Sequence, residues 1–117
     1  MNLFRYLKDK DYRAYCKMDR RHRRELVKFA RTTHDYDYGY LHDLVVLKLN
    51  HFFEYYVNGN NVWQSDESKE EVLRTLRECL AFADEIEKLD DCDWKVEERL
   101  YKNFYSAIGK NIKLWWD

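Results

Sequence analysis

Spacing of the apolar side chains divides the chain into helical stretches separated by short polar breaks. The clearest lies over residues 72–86. Val72, Leu76, Cys79, Leu80, Ala83 and Ile86 recur every three or four positions, and Arg74, Arg77, Glu78, Asp84, Glu85 and Lys88 fill the positions between. A period of 3.6 residues puts the two sets on opposite faces of one helix. Its start is marked by "SDESKEEV", where Ser68 with Glu71 fits a capping box and acids fill the first turn. After "LDDCD", Asp93 is placed to cap a last helix of about 94–116. On it Trp94, Tyr101, Phe104, Tyr105, Ile108, Ile112, Trp115 and Trp116 keep the helical period.

Upstream, Asp37 is placed to cap a helix running to about Tyr56. Leu41, Leu44, Val45, Leu49, Phe52, Tyr55 and Tyr56 form one broad face, and Val46, Leu47 and Phe53 extend it. Only Asp43, Asn50 and Glu54 make a polar strip. A helix this apolar sits at the centre of a bundle or at a subunit interface, so a homo-oligomer is expected. Gly59 suits its C-terminus. Residues 20–32 place Leu26, Phe29 and Ala30 on one side of a further helix, with Asp19 at its start; residues 3–16 read as a short helix or an ordered arm. Short connections make neighbours antiparallel. The pattern predicts an all-α fold, a small antiparallel helical bundle of three long helices plus one or two N-terminal helices.

Composition agrees with that pattern. There is no proline and there are three glycines, which favours long uninterrupted helices over a turn-rich β fold. A length of 117 residues fits a single helical domain, 1–117. Charge adds an asymmetry that the net −1 hides. Residues 1–32 hold 11 Lys and Arg against 4 Asp and Glu, a basic segment of +7; residues 33–117 hold 10 against 18, an acidic three-helix body of −8. The basic segment either packs along acidic surface of this chain or of a neighbouring copy, or binds an anion. The three cysteines, Cys16, Cys79 and Cys92, show no C-x-x-C pair, and no signal peptide or membrane span is visible; a reducing cytoplasmic setting is expected. Cys92 lies in "DDCD", where acids disfavour the thiolate.

Candidate chemistry concentrates in three places. Arg20, Arg21, Arg23 and Arg24, in "RRHRR", fall in the first turns of the helix expected from residue 20, where the dipole is already positive, so an acidic group or ligand is expected to meet them. "HDYDYGYLHDL" offers Tyr38, Tyr40 and His42 as a rim that stacks on or hydrogen-bonds a base, or simply as the aromatic entry to a helix. Lys48 falls inside an apolar face, as does Glu97 on the last helix. The choices are a buried Lys48–Glu97 ion pair, a snorkelling lysine, or a lysine holding an anion between helices. A metal site is not expected. A metal reading would recruit His34, Asp35, Asp37, His42 and Asp43, but helix positions 42 and 43 point about 100° apart and do not converge, and His51 with Glu54 reverses the Glu-x-x-His order of di-iron bundles, without a second copy. Glu70, Glu71 and Asp84 sit on a solvated face rather than in a nucleotide-hydrolysing site, and no nucleophile motif or glycine-rich phosphate loop occurs. Neither an enzyme nor a cofactor is therefore expected. A nucleic-acid-binding domain is disfavoured too, because the chain is slightly acidic and the basic patch reads as a turn and a half long.

The run "DYDYGYLHDLVVLKLNHFFEYYVNGNNVW" and the ending "AIGKNIKLWWD" resemble a family of small helical proteins encoded by tailed bacteriophages. The marks are Tyr36, Asp37, Tyr38, Gly39 and Tyr40, then Lys48 within Leu-Lys-Leu, and the terminal Trp115, Trp116 and Asp117; the similarity spans about residues 20–117. The resemblance implies a phage accessory protein in the host bacterial cytoplasm. Such a protein counters host defence by sequestering a nucleotide signal or by blocking a defence protein.

Overall fold

In the computed structural model the described residues are 2–32, 37–58, 66–89 and 93–115. They form α1 (Leu3–Lys8), α2 (Lys10–Thr32), α3 (Tyr38–Asn58), α4 (Asp66–Glu87), α5 (Trp94–Asn111) and a closing 3-10 turn, Ile112–Trp115, with no strand among them. The chain is all-α, as the periodicity predicts. It divides into two compact units, Met1–Val62 and Trp63–Asp117. No helix among the described residues is long and apolar enough to cross a membrane.

The first unit departs from the sequence reading at its start. Asp19 does not begin a helix; it lies inside α2, where its carboxylate pairs with Arg23 one turn on, at 3.1 Å. The break falls at Asp9. Its extended backbone ends α1, its N–H donating to the Arg5 carbonyl, and its Oδ1 accepts from the N–H groups of Asp11 and Tyr12 to open α2. One residue thus serves as the end of one helix and the cap of the next. In consequence "RRHRR" lies in the middle of a 23-residue helix rather than in its first turns.

Asp37 caps α3 as expected, its Oδ1 accepting from Gly39 N–H at 2.9 Å. Side-chain pairs run in opposite directions along α2 and α3: Tyr15 with Tyr55, His22 with His51, Phe29 with Tyr40. The two helices are therefore antiparallel. α3 buries residues on opposite sides, His51 on one and His42 with Leu49 on the other, which is why its sequence is apolar nearly all round. Leu41 (61% exposed) and Phe52 (36%), expected on the packed face, instead share an open strip with Lys48.

The second unit is an α4–α5 hairpin whose core follows the predicted stripe. Val72, Leu76, Cys79 and Ala83 are buried, joined by Leu73 and Thr75, and the six polar positions assigned to water are exposed. α4 begins at Asp66, so Ser68 is in its first turn rather than at its cap. Asp93 caps α5 through Lys95 N–H at 2.9 Å. The helix ends at Asn111, short of the expected 116, and tightens into the 3-10 turn. That turn drives Trp115 (4% exposed) into the core, where its Nε1–H donates to Thr75 Oγ1 at 2.8 Å; Trp94 and Ile112, expected inside, are exposed at 69% and 51%.

Candidate functional site

Facing α3, α2 presents His22 and Glu25; facing α2, α3 presents His51 and Glu54. Each helix carries the same His-x-x-Glu spacing, which puts both side chains on one face. The antiparallel packing then crosses them. His22 Nε2 lies 3.1 Å from Glu54 Oε2 and His51 Nε2 lies 2.7 Å from Glu25 Oε2, while the imidazoles stack at 3.9 Å with an 8° interplanar angle. Arg21 closes the group, bridging Glu25 at 3.2 Å and Glu54.

Because an ionised carboxylate only accepts, each histidine donates from Nε2. His51 is buried, and its Nδ1 has no hydrogen-bond partner among the described residues. Burial, then the charges of His51 and Arg21, hold the His22 pKa below the ordinary value, against a smaller opposing pull from Glu25. The hydrogen bond from His51 holds Glu25 below its ordinary value. The quartet is thus two imidazoles and two carboxylates crossed between the helices, with the Arg21 guanidinium bridging both carboxylates. Sequence reading found His51 and Glu54 but judged the pair to lack a second copy; His22-x-x-Glu25 is that copy. Among the described residues no group of three or more His, Cys, Asp or Glu side chains is arranged to hold a metal ion.

A neighbouring face of α2, bordering α3 at Arg21, is chemically uniform. At 100° per residue, Lys10, Arg13, Lys17, Arg20, Arg21, Arg24, Lys28 and Arg31 all fall within a sector of about 100°, and no other residue of the helix does. Arg13 is used internally, donating to the carbonyls of Tyr6 and Leu7, and Arg21 is held by the two glutamates. Arg20 reaches Tyr6 Oη at 3.5 Å. Two open hollows flank the stripe. One, about 460 Å³, is lined by Arg23, Arg24, Val27, Lys28, Arg31 and Thr32. The other, about 550 Å³, lies between α2 and α3 and includes Lys17, Arg21, Arg24, Glu54 and Asn58.

Of the residues singled out from sequence, Arg20, Arg21 and Arg24 belong to this stripe, and Arg23 lies outside it, lining the first hollow while paired with Asp19. The aromatic part of the anticipated site stands apart from the two hollows, neither of which is lined by Tyr38, Tyr40, His42 or Lys48. Tyr38 is 71% exposed at the first position of α3, and Tyr40 packs on Phe29 at 4.9 Å. His42 is buried, and burial keeps it neutral by lowering its pKa. Lys48 is half-buried with its ammonium 5.6 Å from the Phe52 ring centroid; Glu97 lies in the other unit, also half-buried. His34, Asp35, Tyr36, Gly59, Cys92 and Trp116 lie outside the described residues. Compared with protein-family models, curated proteins and solved structures, the chain matches none.

Proposed function

We propose that this chain is a non-enzymatic binding protein for nucleotide-type anions, which it holds on the basic face of α2. The observation that carries the reading is the set of exposed cations Lys17, Arg24, Lys28 and Arg31, which make no ion pair among the described residues and border the two hollows. Guanidinium groups in such a row match phosphate oxygens in charge and geometry. In the phage setting that the resemblance implies, the role is sequestration of a nucleotide-type immune signal in the host cytoplasm, with a homo-oligomer as the working form. Leu41 and Phe52, exposed on α3, supply apolar surface for such an assembly. Calorimetry against a panel of nucleotides and light scattering test the two parts. Heat of binding that disappears in Arg24→Ala supports the first; no heat from any nucleotide removes it. A mass of 14.6 kDa at all concentrations removes the oligomer.

A second reading is a protein–protein inhibitor of a host defence enzyme. It is favoured by Trp94 and Tyr105, three turns apart on one side of α5 and 69% and 37% exposed. A host-lysate pull-down weakened by Trp94→Ala supports it.

A further inference from the structure

The basic stripe is longer than a nucleotide needs. From Lys10 to Arg31 it runs about 32 Å at 1.5 Å per residue, close to one turn of duplex. Over that length each strand of a duplex passes about nine phosphates, at 3.4 Å of axial rise each, and a straight row alongside meets those of both strands that face it. Six of the stripe's cations are exposed: Lys10, Lys17, Arg20, Arg24, Lys28 and Arg31. Spacings of seven, then three and four residues keep them within one sector of the helix, and no Asp or Glu of α2 enters that sector; Asp11, Asp19 and Glu25 all lie outside it. A single nucleotide cannot reach from one end of this row to the other. A linear polyanion can.

The side chains that are missing from the stripe narrow the choice. It contains no aromatic residue, and single-stranded nucleic acid is held chiefly by stacking on aromatics. It contains no Asn, Gln, Ser or Thr either, so guanine edges, which Arg and Lys also reach, are the only base groups it could complement. What remains is a row of point and fork charges suited to phosphates whose bases are stacked out of reach. We propose that the basic stripe of α2, one edge of which borders α3 at Arg21, binds the phosphodiester backbone of a nucleic-acid duplex, independently of its sequence. This rests on the reading that α2 takes phosphate, and extends it from a single nucleotide to a polymer. The turn-and-a-half patch that counted against nucleic acid in the sequence becomes a row more than five turns long once α2 is seen to be continuous.

The test is fluorescence anisotropy of the full chain with a labelled 20-base-pair DNA duplex at 50–200 mM KCl. Six phosphate contacts give a slope of log K against log salt of about −5, a loss of about 10³-fold across that range. In R24A/K28A/R31A, with helicity checked by circular dichroism, the slope is expected to fall to about −2.7 and the loss to about 40-fold. Unlabelled ATP, a single-stranded 20-mer and polyglutamate serve as competitors. Duplex binding with this slope, reduced in the variant, supports the proposal. Calorimetric binding of ATP without duplex binding overturns it and leaves the nucleotide reading standing; no binding of either removes both. Tighter binding of the single strand, equal competition by polyglutamate, or a variant that binds duplex as the parent does each overturns the surface assignment.

Discussion

Glu25→Ala probes the packing of α2 on α3 at its most sensitive point. His51 is 4% exposed, and among the described residues its Nδ1 has no partner and its Nε2–H has Glu25 alone, at 2.7 Å. Removing that carboxylate leaves the buried imidazole with neither nitrogen satisfied. An unmatched buried donor costs about 1–3 kcal/mol. Loss of the half-exposed Arg21–Glu25 pair adds about 0–1 kcal/mol, since Arg21 keeps Glu54, and the better helix propensity of Ala offsets a few tenths of a kcal/mol. The net expectation is about 2 kcal/mol. In a domain of 60–100 residues each kcal/mol moves the transition by about 4–8 °C, so unit Met1–Val62 is expected to melt roughly 8–16 °C lower. The assay has a built-in separation. All four tryptophans, Trp63, Trp94, Trp115 and Trp116, belong to the second unit, so tryptophan fluorescence follows that unit while circular dichroism follows both. Glu25→Gln keeps an acceptor for His51 and is expected to cost under about 1 kcal/mol. Glu78→Ala breaks an exposed 4.0 Å pair with Arg74 and is the control, at about 0–0.5 kcal/mol. If Glu25→Ala costs no more than Glu78→Ala, the quartet is surface decoration and the donor argument is wrong.

Other expectations follow from the same contacts. His22 and His42 have pKa values below 6.5 in the fold, in both cases chiefly because of burial. The unfolded chain therefore takes up protons first, and their stabilisation is complete above pH 6.5 and lost as pH falls below it. Glu25, held below 4.5 by the hydrogen bond from His51, continues the loss in the same direction at lower pH. With Arg21 and Lys48 also facing His22, the urea midpoint is expected to fall steadily from pH 7 to pH 4; a midpoint that rises on acidification contradicts the assignment. Thr75→Val removes the acceptor of the buried Trp115 Nε1–H and is expected to cost about 1–3 kcal/mol, read by tryptophan fluorescence in urea. Cys79, fully buried with its thiol pushed up to about 11 by that burial, is expected to react with a thiol reagent at pH 8 only as the second unit unfolds; fast modification in native buffer, located at Cys79 by mass spectrometry, refutes this.

The sequence by itself determined the elements whose signal is local. The α4 core was legible because Val72, Leu76, Cys79 and Ala83 repeat at the helical period against a fully polar opposite face. Asp37 and Asp93 were legible as caps because capping is settled by a side chain and the N–H groups two or three residues on. Asp19 misled the reading because Asp pairs with Arg at i+4 as readily as it caps, and Asp9, the true boundary, sits in a polar run with no apolar period to announce it. Tertiary structure alone decided the rest. Which side of α3 stays open depends on what packs against the others, so Leu41 and Phe52 could not be told from buried residues by spacing. The two His-x-x-Glu pairs are ordinary spacings until antiparallel packing crosses them and makes each glutamate the partner of the other helix's histidine. The basic face followed the same logic. Its charges were countable in the sequence, but only a continuous α2 turns them into one row, because a helix sets direction by position and a break at Asp19 would have split it.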